Sequence, residues 1–311
     1  MNKIVYIILL TISIFHSVGL NGKQKNYLEK IKGFFCPLKE KVDQHEYNAL
    51  AIESLSLITI NGNVTVHTGP KKSLFIRTTS RARKKEDLEL VTITIDESKR
   101  NRLSVATHCN DKKKNRISVD YEIIVPDSLN LDLTTKGTGD IAIKNVLGKI
   151  NATTRGNISI VNTKNLVVAQ TDKNGSISII NSSGPVEAKS YAGNITGENI
   201  AHSFSAQTAK GNITLACKKI PFTGWLDAKT SSGNIILALP TDTNAHIHGH
   251  TIHGTFMSEH PILLKPYTTS LNKEAWKIFK QKVDGTLGSG DATIALASTS
   301  GNIKIIETKA T

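Results

Sequence analysis

Histidines are concentrated in one short stretch of this chain. Five of the ten fall within residues 246–260. On a β-strand, the first three alternate onto one face, where residues two apart lie about 7 Å from each other. Imidazoles at that spacing suit Zn²⁺ or Cu²⁺. The alternative is a solvated strand whose isoleucines do the packing, since no Asp, Glu or Cys completes a ligand set locally. The metal-site hypothesis, with zinc as its ion, names His246, His248, His250 and His253.

Basic residues are crowded between positions 81 and 116, in segments that we expect to be exposed turns. The whole chain has 39 Lys and Arg against 26 Asp and Glu, a net charge of +13. Such a balance favours anionic partners, of which a glycan or an anionic lipid fits an exported protein and nucleic acid is not expected. Solvated loops are the alternative reading of the same pattern. The polyanion-binding candidates are Arg81, Arg83, Lys84, Lys85, Lys112, Lys113, Lys114 and Arg116.

Signatures of catalysis are missing from the sequence. It has no Gly-x-Ser-x-Gly, no phosphate-binding glycine loop with Lys and no His-Glu-x-x-His. A glycosidase needs two carboxylates at a fixed separation. The acids of the central region instead fall in different columns of the repeat described below. We therefore predict a protein that is not an enzyme, with no catalytic residues and no cofactor other than the zinc hypothesis above.

A repeat supplies the elements that must position these residues. The pattern Gly-Asn-Ile-x-Ile, in close variants, begins at Gly62 and then recurs along the chain, with a last copy at Gly301. From Gly139 the successive glycines are 17, 19, 18, 18 and 22 residues apart. Sustained self-similarity at such a period indicates a solenoid. The glycines of the central copies are Gly139, Gly156, Gly175, Gly193, Gly211 and Gly233.

A second unit lies halfway between the glycines. It is a Val/Leu-x-Ala strand, as in Val167-Val-Ala169, followed two residues later by Thr or Ser. Within each unit alternate residues point inward, so Ile-x-Ile and Val/Leu-x-Ala strands would form two facing columns. We expect glycine to adopt the left-handed corner and Asn157, Asn194, Asn212 and Asn234 to stack as an amide ladder.

These columns predict an all-β protein, a right-handed parallel β-helix or β-solenoid with about eighteen residues per turn. The competing architecture is an antiparallel sandwich or barrel of short strands. A helical pattern at residues 271–283 predicts a short insertion near the carboxyl terminus that caps the stack, because an open solenoid end exposes strand edges.

The start of the chain has the features of a secretory signal. One lysine precedes an apolar run from Ile4 to Phe15, and Ser17 and Gly19 stand where a signal peptidase cuts. We expect an exported protein, located in the periplasm, at the cell surface or outside the cell. The alternative is an uncleaved anchor, although the run is short for a span. Oxidising conditions would allow one disulfide, for which Cys36 and Cys109 are the candidates, with Cys217 in the core.

The domain organisation follows from these patterns. We predict a signal peptide at 1–19, an amino-terminal segment at 20–54 and a β-solenoid at 55–311. Within the solenoid, we place a basic entrance at 55–125, core repeats at 126–254, the insertion at 255–285 and closing turns at 286–307.

The segment Tyr121-Glu-Ile-Ile-Val-Pro126, then Leu129–Leu133 and Gly139-Asp-Ile-Ala-Ile, resembles the start of the repeats in a bacterial family of domains of unknown function described as "putative adhesin". The stretch from Leu287 through Gly301-Asn-Ile-Lys-Ile is similar to the closing turns of that family. The resemblance extends over about residues 55–307 and implies a right-handed β-helix in an envelope or surface protein.

Two functions remain open at this point. One is an adhesin-like surface scaffold that contacts another macromolecule. The other is a binder of an anionic glycan, a lipid or a transition metal through the basic loops or the strand from His246 to His253. The oligomeric state is not predicted.

Overall fold

The computed structural model describes residues 38–98, 101–109, 116–264 and 281–308. These residues are mostly β-strand, with one turn of 3₁₀ helix at Ala49–Ala51 and one short helix, α1, at Lys85–Leu88. The strands before the regular repeats are β1 Lys39–Asn48, β2 Ser54–Thr59, β3 Val64–Thr68, β4 Ser73–Ala82, β5 Thr92–Asp96, β6 Arg102–His108 and β7 Ile117–Val125. The central strands are β8 Asn130–Thr135, β9 Ile141–Lys144, β10 Ile150–Thr154, β11 Ile158–Thr163, β12 Val167–Thr171, β13 Ile177–Ser182, β14 Val186–Ser190, β15 Ile195–Ile200, β16 Phe204–Lys210 and β17 Ile213–Cys217. The remaining strands are β18 Trp225–Ser232, β19 Ile235–Leu239, β20 Ala245–Thr251, β21 Phe256–Ser258, β22 Leu263–Leu264, β23 Lys282–Leu287, β24 Ala292–Ser300 and β25 Ile303–Glu307.

The strands form two sheets that are largely parallel, one for each half of the repeat. The first sheet has twelve strands in the order β1-β4-β7-β3-β9-β11-β13-β15-β17-β19-β25-β21. The second has thirteen, in the order β22-β23-β20-β24-β18-β16-β14-β12-β10-β8-β2-β6-β5. In the regular turns, Ile-x-Ile strands such as β11 lie in the first sheet and Val-x-Ala strands such as β12 lie in the second. The predicted two-column, solenoid-like all-β architecture is therefore confirmed, and the antiparallel sandwich is wrong.

Equivalent residues stack in register through the centre of both sheets. In the first sheet Ile158 pairs with Ile141 on one side and Ile177 on the other. In the second, Ala169 pairs with both Ala152 and Ala188. All six of these side chains are almost completely buried between the sheets. One apolar face per strand is buried only because the next turn extends the core, so no single turn would be stable alone.

The repeat glycines allow the backbone of successive turns to approach closely. A Cβ on Gly175 would lie 1.8 Å from the carbonyl oxygen of Gly156, and one on Gly193 would lie 1.9 Å from that of Gly175. Of the eight glycines in this column, only Gly62 and Gly233 have a positive φ. The expectation that glycine supplies a left-handed corner is thus wrong for most copies. The Ser or Thr that follows each x-Ala unit donates its hydroxyl to these carbonyls, as Thr208 does to Gly193 at 3.1 Å.

An asparagine ladder exists, but at a different position from the predicted one. Side-chain oxygens at the predicted position accept backbone N–H groups one turn later, as Asn212 does from Asn234 at 2.8 Å. The amide-to-amide ladder lies at the far end of the first-sheet strands, in the pattern Ile-x-Ile-x-Asn. Its members are Asn145, Asn162, Asn181 and Asn199, which have φ values between 53° and 63°. Asn tolerates this left-handed conformation better than other L-residues.

The amino-terminal end departs from the repeat by adding antiparallel strands. β4 pairs antiparallel with β7 and with β1, so residues 39–48 form the edge of the first sheet. β1 lies within the predicted amino-terminal segment at 20–54, for which no strand is predicted from the sequence. Between β4 and β6 the chain forms α1 and then β5. Lys85–Leu88 carries Glu86 and Asp87 in its first turn, where acids favour a helix.

The carboxyl-terminal end is assembled out of chain order. The closing strands β24 and β25 pair directly with β18 and β19, as predicted for a resumed repeat. β20 and β21, which come earlier in the chain, are displaced to the outside of them. The stacking order of these turns therefore differs from their order along the chain. Gly301 stacks on Gly233 and Gly254 on Gly301, so the closing turn takes the place next to β19.

Several predictions fall on residues outside the described ranges. These are the signal peptide at 1–19, Cys36, Lys112–Lys114 and residues 271–280 of the predicted helix. The end of that predicted helix, Lys282 and Val283, belongs to strand β23. Cys217 is buried, as predicted for a core residue.

Candidate functional site

The first three histidines of the histidine segment lie on strand β20 of the second sheet, with their side chains on its outer face. The burial of β20 alternates, with Ala245 and Ile247 inward and His246, His248 and His250 exposed, as the spacing predicted. β24 lies on one side of β20 and β23 on the other. Each histidine therefore stands in a row of side chains that runs across four or five strands. His253 follows the end of the strand and is exposed outside these rows.

Three rows define a surface that we call the histidine face. The first has Trp225 and Leu263 at its two ends, both exposed, with threonines beside the histidine. In the second row an acid stands on either side of the histidine, and in the third row a lysine stands on either side of it. The row members are Trp225, Thr293, His246, Thr286 and Leu263; Asp227, Ala295, His248 and Asp284; and Lys229, Ala297, His250 and Lys282.

A shallow groove crosses the second and third rows. It forms because β24, which lies between β18 and β20, has only small outward-facing residues in these rows. Ala295 and Ala297 form its floor on β24. His248 and His250 line one side and Lys229 the other. The depression has a volume of about 180 Å³. A larger residue at either alanine would fill it, so the groove depends on the out-of-order insertion of β24 between β18 and β20.

Charges in the groove are paired, with one acceptor left over. Lys229 Nζ lies 2.8 Å from Asp227 Oδ2, and His248 Nδ1 lies 3.5 Å from Asp284 Oδ1. Asp227 Oδ1 is covered by the surrounding atoms and accepts no hydrogen bond within the described part of the chain. A buried carboxylate oxygen is normally hydrogen-bonded, but this one is also shielded from solvent, so the groups that the groove offers are its imidazoles and lysines.

The exposed histidines follow one another along β20, each in a different row, and their imidazoles do not converge on one point. Among the residues that the structure describes, no three His, Cys, Asp or Glu side chains are grouped closely enough to hold a metal ion. His260, the fifth histidine of the run, is buried away from the row. The arrangement therefore provides a face of separate imidazoles, each next to a different neighbour.

The described basic candidates meet at the opposite end of the stack. Ala82 pairs with Ile117, so Arg83 and Arg116 leave neighbouring strands at the same edge. Lys84 and Lys85 follow as the start of α1, and all four basic side chains are exposed. Acidic residues follow within the same helix, which reduces the positive field there. Crowding of basic residues at this end was predicted, and the described members follow it.

Arg81 differs from the other basic candidates. It lies in strand β4 instead of a turn, and its guanidinium contacts two carboxylates, Glu40 at 2.8 Å and Asp120. The hydrogen bond that Arg81 donates to Glu40 is the main cause that raises the pKa of Arg81 above its ordinary value. Asp120 also accepts the backbone N–H of Asn63. Arg81 thus ties β1, β4 and β7 together, and the expectation of an exposed turn at this residue is wrong.

Comparison with known families identifies the architecture. A family model described as "Toastrack DUF4097" matches residues 52–306. The chain belongs to this family. The Toastrack match begins next to β2 and ends within β25, so it includes the histidine face, the groove and the basic loops. The predicted membership of a domain-of-unknown-function family described as "putative adhesin" is confirmed.

Solved structures similar to this Toastrack chain have low sequence identity. A "putative adhesin" from Bacteroides fragilis is 16% identical, covers 86% of this chain and 97% of its own, and has a TM-score of 0.44. A "putative lipid binding protein" from Parabacteroides distasonis is 14% identical, with coverages of 86% and 97% and a TM-score of 0.49. A "putative cell adhesion protein" from Clostridium sporogenes is 10% identical, with coverages of 88% and 100% and a TM-score of 0.25.

No curated protein matches this Toastrack chain. Within the described residues, none of the helices has the length and apolar character needed to cross a bilayer.

Proposed function

We propose that this chain is an exported, adhesin-like binding protein without catalytic activity, and that the histidine face holds an anionic glycan. The observation that carries the proposal is the combination in one groove of two imidazoles, His248 and His250, with two lysines, Lys229 and Lys282. The proposal includes a right-handed winding of about eighteen residues per turn, in line with the handedness of parallel β crossovers.

The chemistry of the face matches that of an acidic sugar polymer. Lys229 and Lys282 line the groove and would attract carboxylate or sulfate groups, beside the imidazoles of His248 and His250. Trp225, with 39% of its surface exposed at the margin, offers an apolar surface for a sugar ring. The open groove suits a chain that passes across the sheet more than a small compact molecule.

The positions of the acids support a binding role. Asp227 and Asp284 stand in one row but are separated by three strand spacings, about 14 Å. The carboxyl groups of glycosidases lie within about 10 Å of each other. Each acid here also has a basic neighbour of its own, Lys229 or His248. We therefore assign both acids to ligand contact and charge balance.

Binding to immobilised anionic and neutral polysaccharides tests this proposal. Retention on a uronate or sulfated polymer should be strong at low salt, because the lysines of the groove attract its anionic groups. Added salt should reduce it, and a neutral dextran should retain little. His248→Ala should weaken retention several-fold and Trp225→Ala should do the same.

His45→Ala is the matched control, because His45 is an exposed histidine on β1 outside the histidine face. It should leave retention unchanged. Equal losses from His45→Ala and His248→Ala would show that net charge alone drives binding. Retention that depends instead on Arg83 and Arg116 would move the site to the basic loops.

A further inference from the structure

A second concavity lies at the corner that follows the strands of the first sheet. Its volume is about 1030 Å³, and its walls come from successive turns and from Thr308. Most of its lining is polar and uncharged, with one acid, Asp242, and one base, Lys218. None of the residues of the histidine face contributes to it. We call this concavity the corner cleft.

The asparagine ladder ends at the corner cleft. Asn162 donates to Asn145 at 2.6 Å, Asn181 to Asn162 at 2.8 Å and Asn199 to Asn181 at 2.9 Å. All three bonds run from a side-chain Nδ2 to the Oδ1 of the preceding turn. Asn181 and Asn199 both line the cleft. The ladder therefore presents a side-chain carbonyl, Asn199 Oδ1, at its cleft end.

A break in register explains why the ladder stops there. β15 and β17 pair at Gly197 with Leu215 and again at Ile200 with Cys217. Two residues, Glu198 and Asn199, thus face the single residue Ala216 on the next turn. No asparagine is available to donate to Asn199 Oδ1, which has no hydrogen-bond donor among the described residues. Ala216 leaves open space beside it.

The direction of the ladder gives its free end a definite polarity. Four amide dipoles point the same way, and aligned hydrogen bonds polarise one another. The exposed carbonyl of Asn199 is the negative end of this chain of amides. Donors on a ligand would continue the ladder by one step. The hydroxyl of Thr241 and the carboxylate of Asp242 line the same cleft, as does the ammonium of Lys218.

We propose that the corner cleft binds a neutral saccharide, whose hydroxyl groups cap the asparagine ladder at Asn199 Oδ1. A sugar hydroxyl is both donor and acceptor, so it satisfies amides, hydroxyls, a carboxylate and an ammonium in one ring. The volume corresponds to a few sugar units, since ligand pockets span about 300–1,000 Å³. This site is independent of the histidine face and takes an uncharged ligand.

Saturation-transfer NMR and calorimetry with the full chain test the cleft directly. The probes are maltohexaose, cellohexaose and xylohexaose at up to about 10 mM, where a millimolar site is occupied. We expect at least one to bind. Asn199→Ala should then weaken its affinity by about tenfold, the effect of a lost ligand hydrogen bond together with its preorganised partner.

Asn145→Ala provides a matched control. This substitution removes one amide hydrogen bond from the same ladder, but Asn145 stands at the opposite end of the ladder and does not line the cleft. Affinity should change by less than about twofold, because the cleft end stays intact. Asp242→Asn should weaken binding, whereas His248→Ala should have no effect.

Two results would overturn the proposal. The first is the absence of binding by all three saccharides, and the second is an equal loss of affinity in Asn145→Ala and Asn199→Ala. Because the probes are uncharged and the histidine face is left unaltered, failure here leaves the anionic-glycan proposal intact. Loss of acidic-polymer retention alone would in turn leave the corner cleft intact.

Discussion

The middle of the solenoid and its carboxyl-terminal end use the same repeat to different effect. In residues 130–217, each strand pairs with the equivalent strand one turn later. In residues 225–307, β18 instead pairs with β24, which lies 68 residues further along the chain. Both regions bury the same kind of apolar column. The chain path between neighbouring strands, and not the core, is what distinguishes them.

Polar groups are satisfied differently in the two regions. In the middle, a glycine carbonyl, an Asn side chain or a Thr hydroxyl finds its partner on the adjacent turn. At the carboxyl-terminal end, β24 brings Ala295 and Ala297 next to Asp227 and Lys229, and Asp227 Oδ1 is left without a partner. Regular stacking thus pairs these groups with the next turn, and the pairing is lost where the register shifts, at Asn199, and where the chain order changes, at Asp227.

The glycine column should show the largest difference between the regions. Gly193→Ala places a Cβ 1.9 Å from the Gly175 carbonyl oxygen, between two fixed turns, and should cost about 3 kcal/mol of unfolding free energy. Gly254→Ala meets the Gly301 carbonyl at 2.0 Å, but it precedes β21, the last strand of the first sheet, which can shift outward. Its cost should be about 1 kcal/mol. Denaturant unfolding measures both, and equal costs would remove the distinction.

Alkaline stability should depend on the interior and not on the histidine face. Burial raises the pKa of Tyr121 to about 12 from its ordinary 10.0, although its hydrogen bond with Thr107 opposes the shift. The neutral phenol therefore stabilises the fold fully below pH 10.0, and that stabilisation is lost as pH rises through about 12.

Tyr121→Phe should remove on the order of 2 kcal/mol of this pH dependence in unfolding curves recorded across the alkaline range. Tyr191→Phe is the control, since Tyr191 is an exposed tyrosine. Burial likewise raises the pKa of Cys217 to about 12, so its thiol should resist alkylation in the folded protein. An alkaline loss of stability that is unchanged in Tyr121→Phe would contradict this account.

The asparagine ladder separates hydrogen bonding from backbone conformation on a smaller scale. Asn181 both donates and accepts an amide bond, at a φ of 57°. Asn181→Ala loses the bonds and strains the backbone, which should cost about 2 kcal/mol. Asn181→Gly loses only the bonds and should cost about 1 kcal/mol. Thermal or denaturant unfolding compares them, and equal costs would mean that the left-handed corner contributes nothing.

Much of the core was predictable because a repeat states the same constraint many times. The alternation in Ile158-Ser-Ile160 and Val167-Val-Ala169 places apolar side chains inward, and equal spacing brings equivalent residues into register. The role of glycine was not predictable in the same way. Close approach of Gly175 to Gly156 depends on how two turns stack, which local conformational preference does not contain.

The candidate site was predicted only in part. The shared face of His246, His248 and His250 follows from strand geometry alone. Their neighbours do not, because Asp227 precedes His248 by 21 positions and reaches the same row only through β24. The pattern of the observed amide ladder, Ile-x-Ile-x-Asn, was present in the sequence. It could not be distinguished there, because the hydrogen-bond partner of each asparagine lies one turn away and the asparagines next to the repeat glycines recur at the same spacing.

The sequence by itself determined the two columns, the strand identity of the histidine segment and the burial of Cys217, since each follows from period-two alternation within a strand. The tertiary structure decided which turn lies beside which. That choice inserts the closing strand between β18 and β20 and ends the ladder at Asn199. The position of the closing strand and the end of the ladder both depend on which of several similar strands pairs at a given sheet edge. The difference in pairing free energy between these strands is not contained in the sequence of any one of them.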